Sequence, residues 1–318
     1  MAIDARGVDA ELDANLLAAL PDGAEVTSVT PAGLSEWCNT YRIEVMLADF
    51  TSWVFFQKEC KGQYGYDMMQ ASFQAASTLH KFIPEFSPKP IILGTYKSDK
   101  NLHFFLSDFI EMSEDGIPSP ESYMAAVVAL HNRSFEQPLD WFLGGLLDEP
   151  NEGNRRPRAA DRGQHPEDLA KLRQAYFDKV LPRYLRPLES DGRSVTPCIV
   201  HADLWPGNCR YRLDKETVCV YDASAFWGHN EVDLGVFRNP RYPLGQLYLQ
   251  EYWKNIPISA PQEDADNRSS MYMIRNQVLL ATLYPTQPKL REVWAASMRH
   301  LVDTVMEEEQ KMARFVRI

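Results

Sequence analysis

The chain changes its hydrophobic rhythm near residue 112. Before that point short runs with partial alternation dominate: Glu25–Thr30, Tyr41–Leu47, Thr51–Lys58, Pro90–Tyr96 and Leu102–Phe109. Alternation sends successive side chains to opposite faces of an extended backbone, so these runs predict five strands. One helical stretch interrupts them, from about Tyr66 to Phe82, with a glycine break at Gly62–Gly65 before it and Pro84 after it. At ~100° per residue, Met69, Phe73, Ala76 and Leu79 form its inward stripe. A shorter helix is predicted over residues 4–20, stopped by Pro21-Asp22-Gly23.

A turn-rich segment from Glu111 to Pro120 separates this region from a mainly helical one. Ser119–Arg133 reads as a helix. Leu169–Leu181 reads as another, with Leu172, Tyr176 and Val180 at helical spacing and Pro182 ending or kinking it. Asp264–Arg314 reads as two helices split at Pro285–Pro288. Between the first two, residues 148–168 are polar and rich in Arg, Gly and Pro, a solvated connector or else a lid over a substrate. Thr196–His201 and Thr217–Tyr221 are short apolar strands. The pattern divides the chain into a sheet-rich part, residues 1–112, and a helical part, residues 113–318. No internal repeat is present.

Chemistry concentrates between the two short strands, in His201-Ala-Asp-Leu-Trp-Pro-Gly-Asn208 and then Tyr221-Asp222. An aspartate after a strand often does no more than cap a turn. The set Asp203, Asn208 and Asp222 does more, because phosphoryl transfer needs one carboxylate to orient a hydroxyl and take its proton. It needs a second carboxylate and an amide oxygen to hold Mg²⁺. Asp-x-x-x-x-Asn followed by a later Asp is the spacing of a kinase catalytic loop. His201 is placed in this set as a brace of the loop. Lys58, at the end of Trp53-Val-Phe-Phe-Gln-Lys58, stands where a strand lysine would meet the phosphates of ATP. Trp205, Trp227 and His229 flank these residues as possible substrate contacts; core packing and loop bracing are the alternatives.

Composition narrows the partners. A formal net charge of −11 disfavours nucleic acid or an anionic membrane as the main partner. No apolar run reaches the ~18 residues of a membrane span. Five cysteines without metal-ligand spacing predict reduced thiols and a cytoplasmic protein; the kinase-type set of residues predicts a small-molecule substrate.

His201–Asn208, with Asp222-Ala-Ser-Ala-Phe-Trp-Gly-His-Asn-Glu-Val-Asp-Leu-Gly235, resembles the fructosamine/ketosamine kinase family, and fungal members most closely. Phe86–Ile91 and Phe104–Phe109 resemble it as well. The resemblance implies an α+β fold of the bilobal protein-kinase-like, aminoglycoside-phosphotransferase-like type, with a small antiparallel-sheet N-lobe and a larger helical C-lobe. It implies ATP and Mg as cofactors, Lys58 as the nucleotide lysine, Asp203 as the base and Asn208 and Asp222 as metal ligands. Glu231 and Asp233 are expected to brace the helical part. The chain departs from the family in three places. Ser72, with Gln74 nearby, stands where a helix carboxylate would pair with the lysine. The loop from Thr30 to Asn39 contains only Gly33. Asp140–Gly145 replaces a segment richer in glycine and aromatic residues. Two other readings follow from these departures: a kinase fold used for acid–base chemistry without phosphoryl transfer, or a pseudokinase-like binding module.

Overall fold

The computed structural model describes residues 12–33, 35, 37–135 and 167–315. Residues 148–166 of the predicted polar loop, Asp140–Gly145 and Glu36 lie outside them. The chain forms two compact units, the first taking residues up to Leu130 together with Gly207–Phe226, the second His131–Pro206 and Trp227 onward.

The first unit starts with a one-turn helix, α1 (Ala14–Leu17). The described part of the predicted 4–20 helix is this short because Asp13 is extended and caps it, its carboxylate accepting the Asn15 N–H at 2.9 Å. The other carboxylate contacts of Asp13 reach the Lys97 and Ser98 backbone N–H groups, both at 2.8 Å. Strands β1 (Glu25–Pro31), β2 (Asn39–Met46), β3 (Ser52–Lys61), β4 (Pro90–Thr95) and β5 (Leu102–Asp108) make an antiparallel sheet in the order β1-β2-β3-β5-β4. All five predicted strands are present.

One face of the sheet buries Val29, Ile43, Val45, Phe55, Phe104 and Leu106 with Leu16 of α1. Alternation along β3 therefore sends Phe55, Gln57 and Glu59 into this core. Lys58 points to the other face, where its cross-strand partner is Phe105. Phe105 meets Phe73 of the long helix α2 (Gly62–Phe82) edge-on, with ring centroids 6.0 Å apart.

Helix α2 starts four residues before the predicted point, through the expected glycine break. Gly62 turns the chain out of β3 at φ +78°, and a Cβ on Gly65 would lie 2.6 Å from the Cys60 carbonyl. The two glycines thus dock the helix on the strand end instead of delaying it.

Helix α3 (Pro120–Ser134) follows, and the Ser119 N–H before it donates to the Tyr211 hydroxyl at 2.9 Å. The second unit continues with α4 (Glu167–Ala175), a π turn over Tyr176–Val180, and α5 (Leu181–Leu185). Pro182 kinks this helix without ending it: its missing N–H breaks the regular ladder, and the wider turn absorbs the break. Strand β6 (Cys198–Val200) follows in this unit, the chain then returns to the first unit for β7 (Cys209–Tyr211) and β8 (Val218–Val220), and β9 (Phe226–Gly228) comes next. A 3₁₀ stretch, Asn230–Arg238, leads to α6 (Gln246–Trp253), α7 (Ala265–Leu283) and α8 (Pro288–Phe315). Leu172, Tyr176, Val180, Met271, Ile274, Met298 and Leu301 are among the buried residues of this unit's core. Among the described residues no helix is long and apolar enough to cross a membrane.

Candidate active site

In the first unit the β7–β8 hairpin does the assembling. Its antiparallel register pairs Cys209 with Val220 and Tyr211 with Val218, so Asn208 and Tyr221 face each other at its open end. The Tyr221 N–H donates to the Asn208 carbonyl at 3.1 Å, and the Tyr221 hydroxyl donates to the Gly207 carbonyl at 2.5 Å. Asp222 follows at φ +56°, a left-handed conformation that aspartate tolerates better than most residues. The Asn208 amide donates to the Asp222 carbonyl at 3.5 Å. Backbone bonds from Val220 to Phe86, Ser113 to Tyr211 and Leu213 to Glu111 hold the hairpin in place.

Lys58 forms an ion pair with the Asp222 carboxylate, its ammonium largely buried and the carboxylate about half exposed. No carboxylate of α2 takes that role: Ser72 is partly buried, and Asp67 accepts from Gln63 at 2.8 Å. Glu59 lies on the opposite sheet face, where Tyr96, Gln57, Asn39 and Tyr41 all donate to it. The structure therefore brings Lys58, Asn208 and Asp222 together. Hard oxygen donors of this kind, one carboxylate and one amide, suit Mg²⁺, which completes its shell with water and phosphate oxygens. Among the described residues no cluster of three or more His, Cys, Asp or Glu could form an all-protein metal cage.

The second unit carries Asp203. The loop that presents it is pinned by Asp233, which is buried and accepts the His201 N–H and the Ala202 N–H, both at 2.7 Å. Ala202 sits at φ +65°, a left-handed conformation that costs an L-residue about 1–2 kcal/mol. The two hydrogen bonds to a charged acceptor offset that cost. Burial opposes ionisation of Asp233, but the His131 hydrogen bond and the surrounding donors hold its carboxyl below the usual range.

His131 donates to Asp233 from Nε2 at 3.1 Å, and its Nδ1 lies 2.8 Å from the Tyr252 hydroxyl. The Asn230 amide donates to that same hydroxyl at 2.8 Å, leaving the tyrosine proton for His131 Nδ1. His201 is fully buried, and its Nδ1 accepts the Asp203 N–H at 3.3 Å, so the ring holds the loop in shape.

Glu231 and Arg268 form a buried two-point ion pair with contacts of 2.8 and 3.0 Å. Gly235, in the same stretch, lets the 3₁₀ segment touch α7: a Cβ there would lie 2.6 Å from the Tyr272 backbone. Glu231 and Asp233 thus brace the unit. Sequence reasoning passed over His131, Tyr252 and Arg268. The only local signal was the Leu130-His131 pair closing an apolar helix.

Trp205 is 40% exposed, and its ring lies 6.2 Å from that of Tyr242. Trp227 is partly buried. His229 has both ring nitrogens engaged, by the Tyr272 and Ser259 hydroxyls, each at 2.9 Å. Burial holds its imidazole down to about 4, against an ordinary 6.5. A histidine kept neutral by the fold contributes stability that is complete above 6.5 and is lost as pH falls toward 4. Wild-type urea midpoints should therefore drop between pH 7 and pH 5 more than those of His229→Gln. Parallel pH profiles for the two proteins would contradict this.

Residues 158–286 match the fructosamine kinase family model. A chloroplastic protein-ribulosamine 3-kinase of Arabidopsis thaliana is 32% identical over 80 residues, which span 25% of this chain and 23% of the relative. The match thus covers less than a quarter of that relative's length. A putative fructosamine-3-kinase structure from Thermobifida fusca superimposes with a TM-score of 0.60 at 19% identity, covering 88% of this chain and 95% of that one. The ternary complex of aminoglycoside phosphotransferase APH(2'')-IIa with streptomycin and ATP gives 0.59 at 13% identity, covering 91% and 97%. The five-stranded antiparallel sheet and the helical second unit are those of the protein-kinase-like fold. The chain thus matches the fructosamine kinase family model over residues 158–286 and has a protein-kinase-like fold similar to that of the aminoglycoside phosphotransferases.

Proposed function

We propose that this protein is an ATP- and Mg²⁺-dependent phosphotransferase whose acceptor is a hydroxyl of a small sugar–amine adduct. Residues 1–112 are taken as the nucleotide side and 113–318 as the acceptor side. The cytoplasm is the proposed location, in keeping with five unbonded cysteines. The observation that carries the reading is the convergence of Lys58, Asn208 and Asp222 through the hairpin register. The ribulosamine kinase match and the ATP-bound fold neighbour support it.

In this reading Lys58 exchanges its Asp222 contact for the nucleotide phosphates, and Asn208 and Asp222 would hold the Mg²⁺. The bound ion supplies neutralisation of phosphate charge. Asp203 orients the acceptor hydroxyl and takes its proton as the new O–P bond forms. The β–γ bridging bond breaks with its electron pair leaving on ADP. A second reading, acid–base chemistry by Asp203 without ATP, draws on Ser72: no α2 carboxylate frees Lys58 from Asp222. Turnover in EDTA without ATP would mark it.

Mg·ATP should raise the melting temperature of the wild-type protein, because a ligand that binds only the native state stabilises it. At ~100 Kd the gain is about 2.7 kcal/mol. Lys58→Ala should lose most of that shift, and ADP should appear when a fructosyl-amine is added to wild type. No shift and no ADP would overturn the reading.

A further inference from the structure

A pocket of about 470 Å³ lies wholly within the second unit. That volume is ordinary for a small-molecule site. Asp203 is not part of its wall, nor are Lys58, Asn208 and Asp222, so the phosphotransfer chemistry above leaves it unused.

Asn230 forms part of the wall. It is 5% exposed, and its side-chain nitrogen donates to the Tyr252 hydroxyl at 2.8 Å. The amide is planar, so that bond turns Oδ1 the other way. Among the described residues nothing donates to this oxygen, and it is open to the pocket. A buried acceptor without a donor in the chain calls for one from a ligand. The oxygen is also fixed in place, because Tyr252 is held by His131 at 2.8 Å and His131 by Asp233 at 3.1 Å. A ligand that meets it need not order the side chain first.

The rest of the lining sets the character of that ligand. Asn132 and Asn255 add two more carboxamides, and Thr196 adds a hydroxyl. Each of these side chains can both donate and accept, as a sugar hydroxyl does. Among the described residues that line the pocket none is a carboxylate. Its one permanent cation, Arg193, already donates to the Asp191 carboxylate at 2.8 Å and the Pro187 carbonyl at 2.7 Å. His229 is neutral at pH 7, since burial holds its imidazole down to about 4. Phe135, Leu188 and Ile256 place apolar faces between the polar groups. The C–H faces of a sugar ring pack on such surfaces. An ion gains little from this lining, and a purely apolar ligand leaves the Asn230 oxygen stranded.

We propose that this pocket is a second ligand site, separate from the phosphotransfer residues, which binds a neutral polyhydroxylated molecule of the mono- or disaccharide class. One ligand hydroxyl donates to Asn230 Oδ1. The carboxamides of Asn132 and Asn255 exchange hydrogen bonds with its other hydroxyls, and Phe135 covers a C–H face of the ring.

Sucrose is the probe, read on the full chain without nucleotide by saturation-transfer NMR and calorimetry. Wild type should bind it with a millimolar dissociation constant and bind glucuronate more weakly. Asn255→Leu and Thr196→Val alter exposed positions and should each weaken sucrose binding by about three- to tenfold, the usual worth of one hydrogen bond. Asn230→Leu should abolish binding; the two exposed variants carry the test if it does not fold. Asp203→Asn should leave the dissociation constant unchanged. No saturation transfer from sucrose to wild type would overturn the proposal. So would binding that survives both exposed variants intact, or binding lost in Asp203→Asn, since either puts the sugar elsewhere. Tighter binding of glucuronate than of sucrose would overturn the neutral class in favour of an anion at Arg193.

Discussion

Replacing Arg268 with alanine should destabilise the protein by about 3–5 kcal/mol, because it strands a carboxylate away from water. Arg268 is fully buried, and Glu231 accepts from it twice, at 2.8 and 3.0 Å. The same guanidinium donates to the Pro261 and Ser259 carbonyls at 2.8 and 2.7 Å, and Glu231 also accepts the Ser259 N–H at 3.0 Å. Each guanidinium nitrogen thus has a definite acceptor, and truncation leaves two carbonyls and a carboxylate to find replacements in a space closed to water. The double variant Arg268→Met with Glu231→Leu should recover much of the loss, since removing both charges also removes the desolvation penalty. Chemical denaturation of the three proteins reads this directly. A single variant within ~1 kcal/mol of wild type would show that water enters the pair.

The sheet was legible because its strands alternate. Val29, Ile43, Phe55 and Leu106 face one core, and period-two patterning states that without help from tertiary contacts. Helix ends were less legible. Asp13 caps α1, and its hydrogen bonds to Lys97 and Ser98, far along the chain, fix it there in a way that local patterning does not state. Gly62 and Gly65 carried a break signal whose real function is close docking of α2 on Cys60.

The chemical residues were legible by type and spacing, but their geometry was not. Nothing in the sequence states that Cys209 pairs with Val220, and that register is what sets Asn208 against Asp222. The buried supports were invisible for a related reason. His131, Tyr252 and Asn230 are distant in sequence, and each is an unremarked polar residue until packing forces their hydrogen bonds into one chain.

Asp203→Asn should lower kcat by about 10²–10⁴-fold, the usual contribution of a positioned general base. The replacement keeps the size and removes only the charge and the proton acceptor. The loop itself should hold, because its fixed points are the Asp233 bonds to the His201 and Ala202 N–H groups and the His201 contact to the Asp203 backbone. None of these uses the Asp203 side chain. Lys58, Asn208 and Asp222 belong to the other unit, so the thermal shift with Mg·ATP should match wild type while single-turnover phosphoryl transfer collapses. That split separates loss of a base from loss of nucleotide binding. A variant that retains turnover within ~3-fold of wild type would remove Asp203 from the base role, since proton transfer in the transition state cannot tolerate so small a loss. A variant that loses the nucleotide shift as well would assign Asp203 to phosphate or metal binding instead.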